Sequence, residues 1–97
     1  MAAYVIYNMT QLLDETAMGE YVQKFDAMFG KYDGKVIAVA PDFDVLEGEC
    51  NAQRVVIIEF SDMQALKRWY DADESQPLIK LRQTAAQGDM IALNGLG

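Results

Sequence analysis

The run Arg54-Val55-Val56-Ile57-Ile58-Glu59-Phe60 constrains the fold more than any other segment. It is too short for a stable helix and dense in β-branched residues, so it predicts a strand. Its apolar residues fall on both alternating faces, the mark of a central strand covered on two sides. Residues 3–9, Ala-Tyr-Val-Ile-Tyr-Asn-Met, read as a second strand of the same kind. A chain of 97 residues is too short for two ordinary domains, so one domain over residues 1–97 is expected. Its core is necessarily modest, with roughly 60–65% of the unfolded surface hidden.

Between these strands Asp14-Glu15 open a helix, as carboxylates suit the cap and the positive end of the dipole. Met18, Tyr21, Val22, Phe25, Met28, Phe29 and Tyr32 follow as one apolar stripe, expected to be core rather than a cofactor site. Gly34 stands where a left-handed C-terminal cap belongs, flanked by Lys31 and Lys35. Residues 35–40 read as a strand stopped by Pro41, and residues 42–51 as an acidic hairpin region. Ser61 with Gln64 forms a capping-box pattern. The helix it opens carries Ala65, Leu66, Trp69 and Tyr70 on its apolar side. Residues 71–75 interrupt that helix. Pro77 suits the first turn of another, with Leu78, Leu81, Arg82 and Ala85 on one side, and Gly88 is expected to end it. Residues 90–93 make a last strand.

The order β-α-β-β-α-β predicts an α+β, ferredoxin-like fold: a four-stranded antiparallel sheet with helices on one face. The first and third strands are its central pair. The uncovered face then exposes an apolar patch larger than monomers commonly tolerate. A second copy laid face to face closes a barrel-like interior, so a homodimer through the sheet face is expected.

Fifteen acids against eight bases give a net charge of −7. That disfavours nucleic acid, which requires a basic footprint, and anionic membrane surfaces. The chain has no histidine, which excludes His-dependent nucleophiles, acid–base pairs and zinc sites. Cys50 stands alone, as in a reduced cytosolic protein, and no signal-peptide pattern opens the chain, so a cytoplasmic location is expected. No phosphate loop, dinucleotide fingerprint or thiol cluster is present, so no cofactor is expected.

Several strings are similar to one family. Val45-Leu46-Glu47-Gly48, Val56 to Ser61, Ala65 to Tyr70, and Leu81-Arg82 with Ala85-Ala86 together resemble domain of unknown function 1330, of the dimeric α+β barrel superfamily. The resemblance runs from Tyr4 to Gly95. It implies the same fold and dimer, and no established activity. Relatives in the wider superfamily bind small organic molecules between sheet and helices, and some are cofactor-free monooxygenases, isomerases or dehalogenating enzymes. The branch that relies on a His-Asp pair has no counterpart here. The family's Ser-Pro-Glu-Tyr-Gln segment is replaced by Ala72-Asp73-Glu74-Ser75-Gln76, so a tyrosine contact from that position does not carry over.

Glu59, a carboxylate ending an apolar strand, is the best candidate for acid–base chemistry. Alternation puts it on one face with Val55 and Ile57; its structural alternatives are an ion pair with Arg82 or Arg54, or a hydrogen bond with Tyr7. Arg82, inward among leucines, either pairs with a buried acid or clamps a ligand carboxylate. Arg54 faces with Val56 and Ile58 and either joins that clamp or snorkels to the surface. Trp69 and Tyr70 point about 100° apart on one helix, so one is able to line a cleft while the other packs. Asp42, Asp44, Glu47 and Glu49 lack calcium-loop spacing and are read as solvated edge charges, with no metal expected. Glu47 beside Gly48 is the exception, aimed by a bulge at a neighbour or the dimer mate. Two functions follow from these residues. One is a small-molecule-binding dimer, with a cofactor-free enzyme acting on a small organic acid or aromatic compound as its catalytic form. The other is a non-catalytic dimerisation or interaction domain with an acidic hairpin.

Overall fold

The computed structural model describes residues 1–96; Gly97, the last residue of the expected domain, lies outside the described residues. Strand β1 (Ala3–Leu12) leads to helix α1 (Glu15–Phe29), then strands β2 (Gly34–Ala40) and β3 (Arg54–Phe60). Helix α2 (Met63–Asp71), a 3-10 turn (Asp73–Ser75), helix α3 (Gln76–Ala85) and strand β4 (Ala86–Asn94) complete the chain. The strands form one antiparallel sheet in the order β2-β3-β1-β4, with β1 and β3 central as expected. This is the ferredoxin-like arrangement, its broken second helix included.

The period of two assigns the faces. Ala3, Val5 and Met9 of β1 and Ile58 and Phe60 of β3 are buried under the helices. Phe29 and Trp69 meet Phe60 there at ring separations of 5.9 and 5.5 Å. Each such aromatic contact adds about 0.5–1.5 kcal/mol beyond area burial. The other face carries Ile6 opposite Ile57 and Ile91, with Tyr4 opposite Glu59 and Leu93. Ile91 is 50% exposed and Ile37 45%, so this face is the open apolar surface expected from the sequence.

Several boundaries differ from the sequence reading. Helix α1 stops at Phe29, with Gly30 as its cap, and Tyr32 lies beyond it. Gly34 therefore starts a strand instead of capping a helix. A Cβ there would collide with the Phe29 ring and lie 2.7 Å from the Phe60 ring, so glycine serves aromatic packing. Asp62, not Ser61, caps α2, accepting from the Ala65 N–H at 2.8 Å; the Ser61 hydroxyl donates to Asp33 instead. Gly88 lies inside β4, where a side chain would strike the Asn8 carbonyl of β1. Strands β1 and β4 also run longer than expected, because their pairing resumes at Gln11–Gln87 and Leu12–Ala86 after an irregularity near Thr10.

The interruption after α2 has a local cause. Ser75 is 2% exposed, and its hydroxyl donates to the Trp69 carbonyl at 2.6 Å, which also accepts from the Ala72 N–H at 3.4 Å where the helix ends. No described helix is long and apolar enough to cross a membrane.

Candidate functional site

Half of the α1 stripe does not close onto the sheet. Met28 and Phe29 are buried, whereas Met18, Tyr21 and Phe25 are only partly covered and Val22 is exposed. Between them and the sheet lies a cleft of about 380 Å³. Tyr7 and Met9 of β1, Val56 and Ile58 of β3, and Met90 of β4 form its floor. Val36 and Val39 of the edge strand β2 flank it, and Arg82 reaches in from α3. The walls are apolar apart from Arg82, Arg54, Asp26 and the tyrosine hydroxyls.

Arg82 is 5% exposed, among the most buried polar residues of the chain. Its guanidinium lies 5.4 Å from the centre of the Tyr7 ring and 5.7 Å from that of Tyr21. Its Nη1 donates to the Tyr21 hydroxyl at 3.4 Å, a long and weak hydrogen bond. The ion pairs among the described residues are Lys24–Glu20 and Lys31–Glu74, and neither reaches Arg82. A guanidinium so placed has two aromatic faces for company and no counter-anion. Burial pushes the Tyr7 phenol up from its ordinary value, against the pull of Arg82 beside it. The phenol is thus a hydrogen-bond donor at neutral pH.

The candidates drawn from the sequence do not all meet. Arg54 and Arg82 share this cleft. Glu59 is on the opposite face of the sheet, so the expected pairing with Arg82, Arg54 or Tyr7 gives way to its cross-strand neighbour: the Tyr4 hydroxyl donates to Glu59 at 3.1 Å. That bond holds the Tyr4 phenol above its ordinary value. Trp69 is 3% exposed in the aromatic core, and its indole N–H has no hydrogen-bond partner among the described residues. Tyr70 packs half-buried against the same core. Neither lines the cleft, whose aromatic wall is Tyr7, Tyr21 and Phe25. Glu47 is exposed on the β2–β3 loop, where Gly48 turns the chain with φ +74° in open space. Among the described residues no cluster of acids or cysteine could hold a metal ion.

The residues missed by sequence reasoning are Tyr7, Met9, Met18, Tyr21, Phe25 and Met90. Met18, Tyr21 and Phe25 had a signal in the apolar stripe of α1, and Tyr7, Met9 and Met90 in the strands, but neither pattern says whether the two surfaces touch. A second groove of about 540 Å³, between α1 and α3, is shallower and is rimmed by the exposed Lys31–Glu74 pair. It holds no buried charge, and the Arg82 cleft is the better site.

Solved structures with this fold include a protein of unknown function from Rhodopseudomonas palustris, at TM-score 0.75 and 18% identity over 99% of this chain and 83% of that one. A dimeric ferredoxin-like protein of unknown function from Jannaschia sp. CCS1 matches at TM-score 0.71 and 12% identity, over 98% and 100%. SnoaB, a cofactor-independent oxygenase from Streptomyces nogalater, matches at TM-score 0.68 and 11% identity, over 99% and 94%. At these identities the likeness is one of fold. A search of curated proteins finds no match. The family model described as domain of unknown function (DUF1330) matches residues 2–96, and the chain belongs to that family.

Proposed function

We propose that the chain is one domain over residues 1–97 that pairs with a second copy and binds a small organic anion in the Arg82 cleft. The observation that carries this is the burial of Arg82 to 5% exposure with no carboxylate at ion-pair distance among the described residues. An uncompensated buried charge costs several kcal/mol, and an arriving carboxylate removes that cost while accepting a bidentate pair of N–H bonds. Arg54, half-buried on the same cleft, adds a second positive charge. Dimerisation uses the opposite face, where the open row Ile6, Ile57 and Ile91 needs cover, and so leaves the cleft accessible. Two of the solved relatives of this fold, those from Jannaschia sp. CCS1 and Thermobifida fusca YX, are described as dimeric. Glu59 lies in that interface. A cofactor-free reaction on the bound acid is the catalytic form of the same reading, with Tyr7 as the proton-bearing neighbour of Arg82.

A thermal-shift panel of small organic acids against their amides tests this. A ligand at about 100 times its dissociation constant stabilises the folded state by about 2.7 kcal/mol. Stabilisation by acids that disappears in Arg82→Ala is the expected result. Silence across the panel, or shifts unchanged in the variant, overturns it. One observation favours the interaction-domain alternative: Leu46 is 89% exposed in the acidic loop, which a partner would cover. Partner capture lost in Leu46→Asp would support it.

A further inference from the structure

We propose that the anion is an aromatic carboxylic acid, held with its carboxylate inward on Arg82 and its ring between methionine side chains. This rests on the reading of the cleft as an anion site and names the ligand's class. Two features of the lining carry it.

The first is the setting of the guanidinium. The Tyr7 and Tyr21 rings lie beside it at 5.4 and 5.7 Å and the Tyr21 hydroxyl takes Nη1, which leaves the Nε–Nη2 edge without a hydrogen-bond partner among the described residues. That edge matches a planar carboxylate, bound by two in-plane hydrogen bonds. A ring conjugated to the carboxylate extends the same plane into the cleft. A tetrahedral or branched carbon at that point would turn the body of the ligand out of the plane.

The second is the convergence of methionines. Three of the six methionines in the chain line this one cleft, and they come from three elements: Met9 from β1, Met18 from α1 and Met90 from β4. Thioethers are polarisable and make favourable contacts with ring edges. Phe25 of α1 lines the same cleft. The volume of about 380 Å³ is at the small end for ligand sites, which suits one ring or two fused rings.

Calorimetric titration of the wild-type protein with 2-naphthoate, its fully saturated decahydro analogue and 2-naphthamide separates the layers. The aromatic acid is expected to bind about tenfold tighter than either comparison compound. Met18→Leu conserves volume and removes a sulfur, so the fold tolerates it. It is expected to weaken 2-naphthoate about two- to tenfold and to leave the saturated acid unchanged. Equal affinity for the two acids, or equal weakening of both by Met18→Leu, overturns the aromatic assignment alone. Failure of both acids to bind, or an amide that binds as well as the acid, overturns the anion reading beneath it.

Discussion

Replacing Arg82 with methionine separates a binding residue from a structural one. Methionine has similar reach and fills the same channel without charge. The losses are two cation–π contacts, at about 0.5–2 kcal/mol each, and one hydrogen bond at 3.4 Å, worth less than about 1 kcal/mol. Against them stands the desolvation of a cation at 5% exposure with no ion-pair partner, several kcal/mol after relaxation. The gain meets or exceeds the losses. Arg82→Met is therefore expected to hold stability level or raise it by about 1 kcal/mol while abolishing acid binding. In a domain of this size 1 kcal/mol moves the midpoint by about 4–8 °C. Urea unfolding at fixed protomer concentration measures the change, because dimerisation makes apparent stability depend on concentration. A loss of about 3 kcal/mol or more would refute the balance, since that is the signature of a satisfied buried ion pair broken on one side.

Gly34→Ala is expected to cost about 1–3 kcal/mol in the same assay, because the added methyl meets the Phe29 and Phe60 rings; a neutral result would contradict the close approach. Asp62→Ala should lose about 1 kcal/mol as the cap of α2, and Ser61→Ala less, reversing the order that the capping-box pattern implies. The Glu74 carboxyl is held below its ordinary value of 4.5 by the Tyr32 hydroxyl and then by Lys31. Its folded value lies below its unfolded one, so its stabilisation is full above about pH 4.5 and is lost as pH falls through the folded value. Glu74→Gln should therefore flatten the acid limb of the stability profile, measured by unfolding from pH 6 to about pH 3. Ile57→Asp, at the centre of the open face, is expected to shift the dimer to monomer in sedimentation, and an unchanged mass would place the interface elsewhere.

The alternation of β3 put Arg54 and Glu59 on different faces but did not say which face the helices cover, so the expected pairing of Glu59 with Arg82 or Arg54 was wrong, whereas the inward place of Arg82 followed from the leucines around it. What spacing could not show was distance. Met18, Tyr21 and Phe25 carry the same pattern as Met28 and Phe29, yet only the latter are buried, while Tyr21 and Phe25 pack partly covered against the edge of the core. Glycine misled for a related reason: Gly34 and Gly88 are required by neighbouring atoms distant in sequence, while among the described residues φ is positive at Gly48 alone. Glu59 found its partner one strand away in Tyr4, a pairing set by register rather than by the chemistry of the two groups.

Titration of 2-naphthoate into ¹⁵N-labelled protein, followed at the arginine Nε–H resonances, tests the site most directly. The Arg82 signal is assigned by its disappearance in Arg82→Met. A saturable shift of that signal, with the amides of Tyr4 and Glu59 on the opposite face unmoved, is the expected result. An Arg82 resonance that stays in place at saturation, or shifts confined to the open sheet face, would contradict an anion site at Arg82.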